Sequence, residues 1–200
     1  GIEIWNEPNE VEFWTPGPDP RVYTELLTEA HAAIKQANPA MPVVAGGFSN
    51  RRSDQWPSIG LANFLNGIYA GGARANFDAL GFHAYPESPR FEAIPHTLRA
   101  VADIPARYGD AKVPLWATEA GLSTTDPNPR YRVTAQEQAD ALRGTVRTLR
   151  QAGVSVVLVH TLVDASGGSA PRERGYGVFR TDLTPKPAMC ALAREAGVGK

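Results

Sequence analysis

Apolar runs of strand character alternate with stretches of helical periodicity along the whole chain, and no other feature of the sequence limits the fold as much. The strand-like runs fall at residues 1–5, 42–47, 77–85, 113–118 and 154–161. Helical stretches separate them. From about Asp19 onward, Val22, Leu26, Leu27, Ala30, Ala33 and Ile34 recur at three- and four-residue spacing as far as Asn38-Pro39. A second stretch, residues 61–70, stops at Gly71-Gly72. A third, residues 92–108, carries Pro95 and Pro105, which shape its ends or kink it. The fourth, residues 134–152, opens on Thr134 as an N-cap with Glu137 in capping-box position, and residues 187–196 close the chain as a helix.

Strands separated by helices predict an α/β fold with a parallel sheet and right-handed crossovers, either a doubly wound sheet or a (β/α) barrel. Two observations favour the barrel. No glycine-rich phosphate loop follows any strand, as a dinucleotide-binding sheet requires, and the polar, chemically loaded residues stand at the C-terminal ends of different strands. Five strands do not close an eight-stranded TIM barrel. The expectation is therefore the C-terminal portion of such a barrel, about strands four to eight, with residues 1–200 forming one partial catalytic domain and the N-terminal βα units absent. The run at 154–161 is valine-rich enough to be expected buried on both faces.

Two strands end in carboxylates. The first is Ile4-Trp5-Asn6-Glu7-Pro8-Asn9, where Pro8 fixes φ and pins a strand terminus that presents an amide and an acid. The second is Val113-Pro114-Leu115-Trp116-Ala117-Thr118-Glu119-Ala120-Gly121. Either glutamate alone reads first as a solvated loop residue. As a pair they match what glycoside cleavage needs: a proton donor to the leaving oxygen, and a carboxylate on the other face of the sugar to attack the anomeric carbon or activate water. Asn6 is placed to hydrogen-bond a sugar hydroxyl next to the reacting carbon, or serves as a turn former.

His83 and Tyr85, two apart in Gly81-Phe82-His83-Ala84-Tyr85-Pro86, are expected on one strand face, pointing into a pocket or forming a half-buried histidine with a capped tyrosine. Phe13, Trp14 and Trp56 fall in loops, where aromatic rings stack on sugars or anchor the loop by burial. Trp116 reads as core. His160 and Asp164 lie near the end of the last strand, and Arg172, Glu173 and Arg174 read as a solvated turn.

Trp5-Asn6-Glu7-Pro8 followed by Thr118-Glu119-Ala120-Gly121 resembles the glycoside hydrolases of clan A, retaining (β/α)8 barrels with catalytic glutamates after strands four and seven; the chain is more specifically similar to family 39 and family 5 relatives. The likeness extends over nearly the whole chain. It implies that Glu7 is the acid/base, Asn6 the partner of the sugar 2-hydroxyl and Glu119 the nucleophile. It further implies that the His-x-Tyr after strand six lies beside the nucleophile, with the Tyr85 hydroxyl donating to the carboxylate. Those families often present an aromatic platform, usually tryptophan, after the last strand. This chain has His160 in that region and no tryptophan there, a departure that leaves the sugar at the cleavage site open.

The resulting expectation is a retaining glycoside hydrolase that cleaves O-glycosidic bonds of a polysaccharide, oligosaccharide or glycoside by double displacement. The alternative is an inactive barrel fragment or carbohydrate-binding module that needs a complementary N-terminal half. Twenty basic against 21 acidic residues, a formal net charge of −1, lack the basic footprint of nucleic-acid or membrane binding, so the expected partners are a carbohydrate substrate and a complementary half-barrel segment. No cofactor and no metal are expected: His31, His83, His96 and His160 are scattered, and the single cysteine, Cys190, forms no internal disulfide. Neither an 18-residue apolar run nor a signal peptide is present, and the compartment stays open, secretion of a longer form included.

Overall fold

The computed structural model describes residues 1–86, 93–167 and 170–197. Among the described residues five strands and five α-helices alternate: β1 Ile2–Asn6, α1 Pro20–Ala37, β2 Val43–Phe48, α2 Leu61–Ala70, β3 Ala79–His83, α3 Ala93–Arg107, β4 Leu115–Glu119, α4 Ala135–Gln151, β5 Val156–Val157 and α5 Pro187–Glu195. Short 3-10 turns at Ala73–Asn76 and Pro171–Gly175 were not foreseen. Glu92, the expected first residue of α3, lies outside the described residues.

The sheet runs β1-β2-β3-β4-β5 in chain order. β1 lies parallel to β2 with Ile2 opposite Val43 and Asn6 opposite Gly47, and β2 lies parallel to β3 with Val44 opposite Ala79. An order without reversal has no switch point of the doubly wound kind, which agrees with the barrel expectation. Every residue of β2 and β3 is buried, as expected for parallel strands covered on both faces. β5 differs from expectation. It is two residues long and half-buried, and the following Leu158 is 50% exposed, because among the described residues β5 ends the order and has a sheet neighbour on one side only.

The chain forms two compact units. Gly1–His83, His96–Thr118 and Val154–Val156 make the first. Its α1 is begun by Asp19, whose carboxylate accepts from the N–H groups of Arg21 and Val22, and Pro20 follows at a position with no intrahelical donor to lose. The buried stripe of α1 is Tyr23, Thr24 and Leu27, whereas Val22, assigned to the apolar face from its spacing, is 36% exposed. Tyr23, Phe48 and Phe64 pack mutually with ring centroids 5.7 Å apart. Each such fully buried ring contributes roughly 1.5–3 kcal/mol of burial free energy. Trp116 is half-buried rather than core: its ring edge lies 3.0 Å from where a Cβ on Gly1 would stand.

Ala84–Pro95, Glu119–Gly153 and Val157–Lys200 make the second unit. Thr134 and Glu137 form the expected reciprocal capping box at the start of α4. α4 buries Gln138, Leu142, Thr145 and Leu149 along one stripe, and its Ala139 and Leu142 pack with Val178 and Ala188. Two polar groups then fasten the loops. Gln138 Nε2 donates to the carbonyls of Leu122 and Gly175, and Lys186, 4% exposed, donates through Nζ to Asp164 Oδ1 at 2.7 Å and to the Gly175 carbonyl at 3.2 Å.

Candidate active site

Glu7 stands one residue beyond β1. Its N–H donates to the Gly47 carbonyl of β2 at 2.9 Å, and its own carbonyl accepts from the Glu10 N–H at 2.9 Å. The loop that follows is tied down by buried polar groups. Asn9 donates to the carbonyls of Ser49 and Ile59 and accepts from the Ser49 N–H, while Glu10 takes the Arg51 guanidinium and the Ser49 hydroxyl. That anchoring holds an unusual backbone. Trp5 and Glu7 both have positive φ, 72° and 42°, a conformation costing of order 1–3 kcal/mol for a side chain with a Cβ and found preferentially at functional sites.

His83, the last residue of β3, is fully buried, and its Nδ1 lies 2.7 Å from Glu7 Oε1. The Glu7 side chain retains 19% exposure, so the acid is held from behind and open in front. Asn6 is exposed at the end of β1. Trp14 packs edge-on between Trp5 (centroids 5.5 Å) and Tyr23 (6.0 Å), which makes it a loop anchor, while the Trp5 indole donates to the Phe13 carbonyl. Trp56 is 96% exposed.

Glu119 ends β4, and its carbonyl accepts the Ala84 N–H at 2.6 Å. The Tyr85 hydroxyl donates to Glu119 Oε2 at 2.6 Å. β3 ends at His83, so strand alternation does not govern Tyr85: the histidine engages one glutamate and the tyrosine the other. Behind Tyr85 lie two further rings, Tyr176 at 5.9 Å and His160 at 6.4 Å, themselves 5.2 Å apart. Gly121 makes room for them, since a Cβ there would come within 2.4 Å of the His160 carbonyl and 2.9 Å of the Tyr176 ring.

Tyr176 and Arg172 are functional candidates that the sequence reading passed over. Arg172 Nε donates to the Tyr176 hydroxyl at 2.6 Å and sits 3.5 Å from the Asp126 carboxylate, and Glu173 is 3.7 Å from His160. Arg172, Glu173 and Arg174 are exposed, as expected of a solvated turn, and Arg172 and Glu173 also form a charged clasp beside the aromatic group. Burial raises the Tyr176 phenol above its ordinary range, only partly countered by Arg172, so it remains a neutral hydroxyl. Burial acts to lower the Arg172 guanidinium, but Tyr176 and Asp126 outweigh it, and the cation is kept. The available signal for Tyr176 was its flanking glycines: a Cβ on Gly175 would meet Thr125 at 2.5 Å, and one on Gly177 would meet the Asp164 N–H nitrogen at 2.1 Å. Among the described residues, no group of three His, Cys, Asp or Glu is placed to hold a metal, and no helix is long and apolar enough to cross a membrane.

A parallel sheet in unbroken chain order, with acids at the C-terminal ends of β1 and β4, defines an α/β-barrel type of protein. No family model matches the chain. Solved structures do resemble it. A family 39 glycoside hydrolase from the gut symbiont Bacteroides cellulosilyticus WH2 matches with TM-score 0.71 and 23% identity over 95% of this chain and 39% of its own. A family 39 β-xylosidase from Caulobacter crescentus matches with TM-score 0.67 and 23% identity over 99% of this chain and 42% of its own. A family 51 α-L-arabinofuranosidase from Bifidobacterium longum matches with TM-score 0.68 and 17% identity over 97% of this chain and 44% of its own. The chain spans about two fifths of the length of these structures. Its fold is that of the C-terminal portion, about strands four to eight, of a TIM (β/α)8 barrel, and the resemblance drawn from the strand-end motifs holds at the level of the fold.

Proposed function

We propose that the chain carries the acid/base and nucleophile segment of a retaining glycoside hydrolase acting on O-glycosides. The observation that best supports this reading is the way each strand-end glutamate is held by its own polar partner: Glu7 by the buried His83 imidazole, Glu119 by the Tyr85 phenol. A carboxylate that accepts a short phenolic hydrogen bond is held and aimed, as a nucleophile requires. In the first step Glu119 attacks the anomeric carbon while Glu7 protonates the departing oxygen. In the second, Glu7 acting as base takes a proton from water, which displaces Glu119. Asn6, exposed beside Glu7, would bind the sugar 2-hydroxyl, where a hydrogen bond strengthens as charge builds in the transition state. Tyr85, Tyr176 and His160 would form an aromatic wall under the sugar in place of a tryptophan, and the exposed Trp56 ring would offer a separate stacking surface. Nothing in this chemistry calls for a cofactor.

The share of chain covered favours a second reading. Matched structures are more than twice as long, so an inactive fragment or carbohydrate-binding segment that depends on a complementary half-barrel fits the same residues. Hydrolysis of a panel of aryl glycosides, together with the size-exclusion mass, separates the two. Turnover by the monomeric 200-residue chain, abolished by Glu119→Gln, supports the enzyme. Turnover that requires an added N-terminal segment supports the fragment, and turnover unchanged by Glu119→Gln removes the assigned nucleophile.

A further inference from the structure

Glu3 is a carboxylate in the middle of β1, between Ile2 and Ile4, and the two-glutamate chemistry makes no use of it. Its surroundings are specific. A Cβ built on Gly47 would come within 2.4 Å of His83 Nε2 and 2.8 Å of Glu3 Oε1, and one built on Gly81 would come within 2.7 Å of Glu3 Oε2. Two glycines on neighbouring strands therefore clear one space, and into it converge the Glu3 carboxylate and the imidazole nitrogen of His83 that faces away from Glu7. The other nitrogen, Nδ1, is the one 2.7 Å from Glu7 Oε1.

A half-buried carboxylate is steadied by a hydrogen-bond donor, and a buried imidazole presents different chemistry at its two nitrogens according to what the other one meets. We propose that Glu3 is a positioning residue that accepts the Nε2–H of His83, fixes the ring's orientation and tautomer, and so holds Nδ1 against Glu7. Nδ1 then accepts from Glu7 in its acid form, and the acid/base rests on a row of carboxylate, imidazole and carboxyl built from β1 and β3. Gly47 follows from this role, since a side chain there would occupy the place where the row is joined; one at Gly81 would press on the Gly46 carbonyl at 2.1 Å and on Glu3 Oε2 at 2.7 Å. Glu3 also faces Tyr23, where its charge adds to the burial that drives the phenol upward, so Tyr23 stays a neutral donor to the Ile4 carbonyl.

This inference rests on the assignment of Glu7 as acid/base, and its test has one arm that does not. Glu3→Met keeps the length of the side chain and removes the acceptor; Glu3→Gln removes the charge alone and serves if the first variant does not fold. With imidazole-¹⁵N labelling, His83 in the unsubstituted protein should show a protonated Nε2 in a single, slowly exchanging state. Glu3→Met should mix the tautomers or hasten that exchange at least tenfold, with a smaller change of the same kind in Glu3→Gln. An unchanged His83 signature in both variants overturns the proposal whether or not the protein is a glycosidase. The second arm uses aryl glycosides. kcat/KM should fall about tenfold or more for poor leaving groups, which need protonation, and stay within about twofold for dinitrophenyl glycosides, which do not. Equal loss across leaving groups contradicts a role through Glu7. Absence of any turnover in the unsubstituted protein would count against the glycosidase reading and leave the imidazole arm to decide the role of Glu3.

Discussion

Replacing Tyr85 with Phe removes one hydroxyl and keeps the ring that packs on Tyr176 and His160, so it isolates the 2.6 Å bond to Glu119 Oε2. That bond is within the short range of a hydroxyl donating to a carboxylate, and a hydrogen bond to a charged group is worth about 1.5–3 kcal/mol. Its effect differs between the two chemical steps. When Glu119 attacks, its negative charge is spent and the bond weakens, so the loss of Tyr85 costs the first step little. When the glycosyl group departs, charge returns to Glu119 and the bond strengthens, so the second step loses the larger part of that energy. At about 1.36 kcal/mol per decade, deglycosylation should slow by roughly 10- to 150-fold. Stopped-flow hydrolysis of a dinitrophenyl glycoside by Tyr85→Phe should then show a burst of phenolate close to one equivalent per enzyme, with kcat and KM falling together. A kcat within about twofold of the unsubstituted protein, or a raised KM with kcat unchanged, would refute the assignment of Tyr85 as the partner of a departing carboxylate.

Stability measurements test the scaffold. Lys186→Met leaves the Asp164 carboxylate, 14% exposed, without its buried partner and should cost about 3–5 kcal/mol by urea titration; adding Asp164→Asn should recover most of it, and a single-variant loss under 1 kcal/mol would contradict the pairing. Asp78 offers a pH test. Burial acts to raise its carboxyl, but the Lys35 ammonium at 2.6 Å and the Val43 N–H at 2.8 Å outweigh burial and hold it below the usual carboxylate range. A folded-state value below the unfolded one stabilises the fold above the unfolded carboxylate range, and that contribution disappears as pH falls through the depressed value. Asp78→Asn should therefore lower Tm near neutral pH, and the difference should close in strong acid; a gap that widens on acidification would reverse the sign. Thr134→Ala, which removes the α4 N-cap, should cost about 1 kcal/mol with no change in hydrolysis.

Local chemistry was legible in the sequence and long-range pairing was not. Thr134 with Glu137 and Gly71-Gly72 mark helix ends because a cap is decided by a few adjacent residues: α4 begins directly after Thr134 and α2 stops directly before Gly71. The valine run after residue 153 misled because side-chain type does not say how many neighbours a strand has; at the end of the sheet order, β5 pairs for two residues. Arg172 and Tyr176 were hidden for a related reason. Their clasp joins the loop before α4 to the loop before α5, through Asp126 and through the carbonyls that Gln138 and Lys186 reach, and no local pattern encodes such a meeting. Glu3 left a fainter trace, a charge in an apolar strand that strict alternation would have placed on a solvated face. The empty Cβ positions of Gly47 and Gly81 reveal what it adjoins.

In a double displacement through this site, Glu119 becomes covalently glycosylated. Incubation with 2-deoxy-2-fluoro glycosyl fluorides, whose second step is slowed enough to trap the intermediate, followed by intact-mass and peptide mapping, addresses it directly. The account predicts one equivalent of fluorosugar on the peptide containing Glu119, lost in Glu119→Gln and trapped more persistently in Tyr85→Phe. A label on another residue, or turnover that yields product of inverted anomeric configuration, would contradict it.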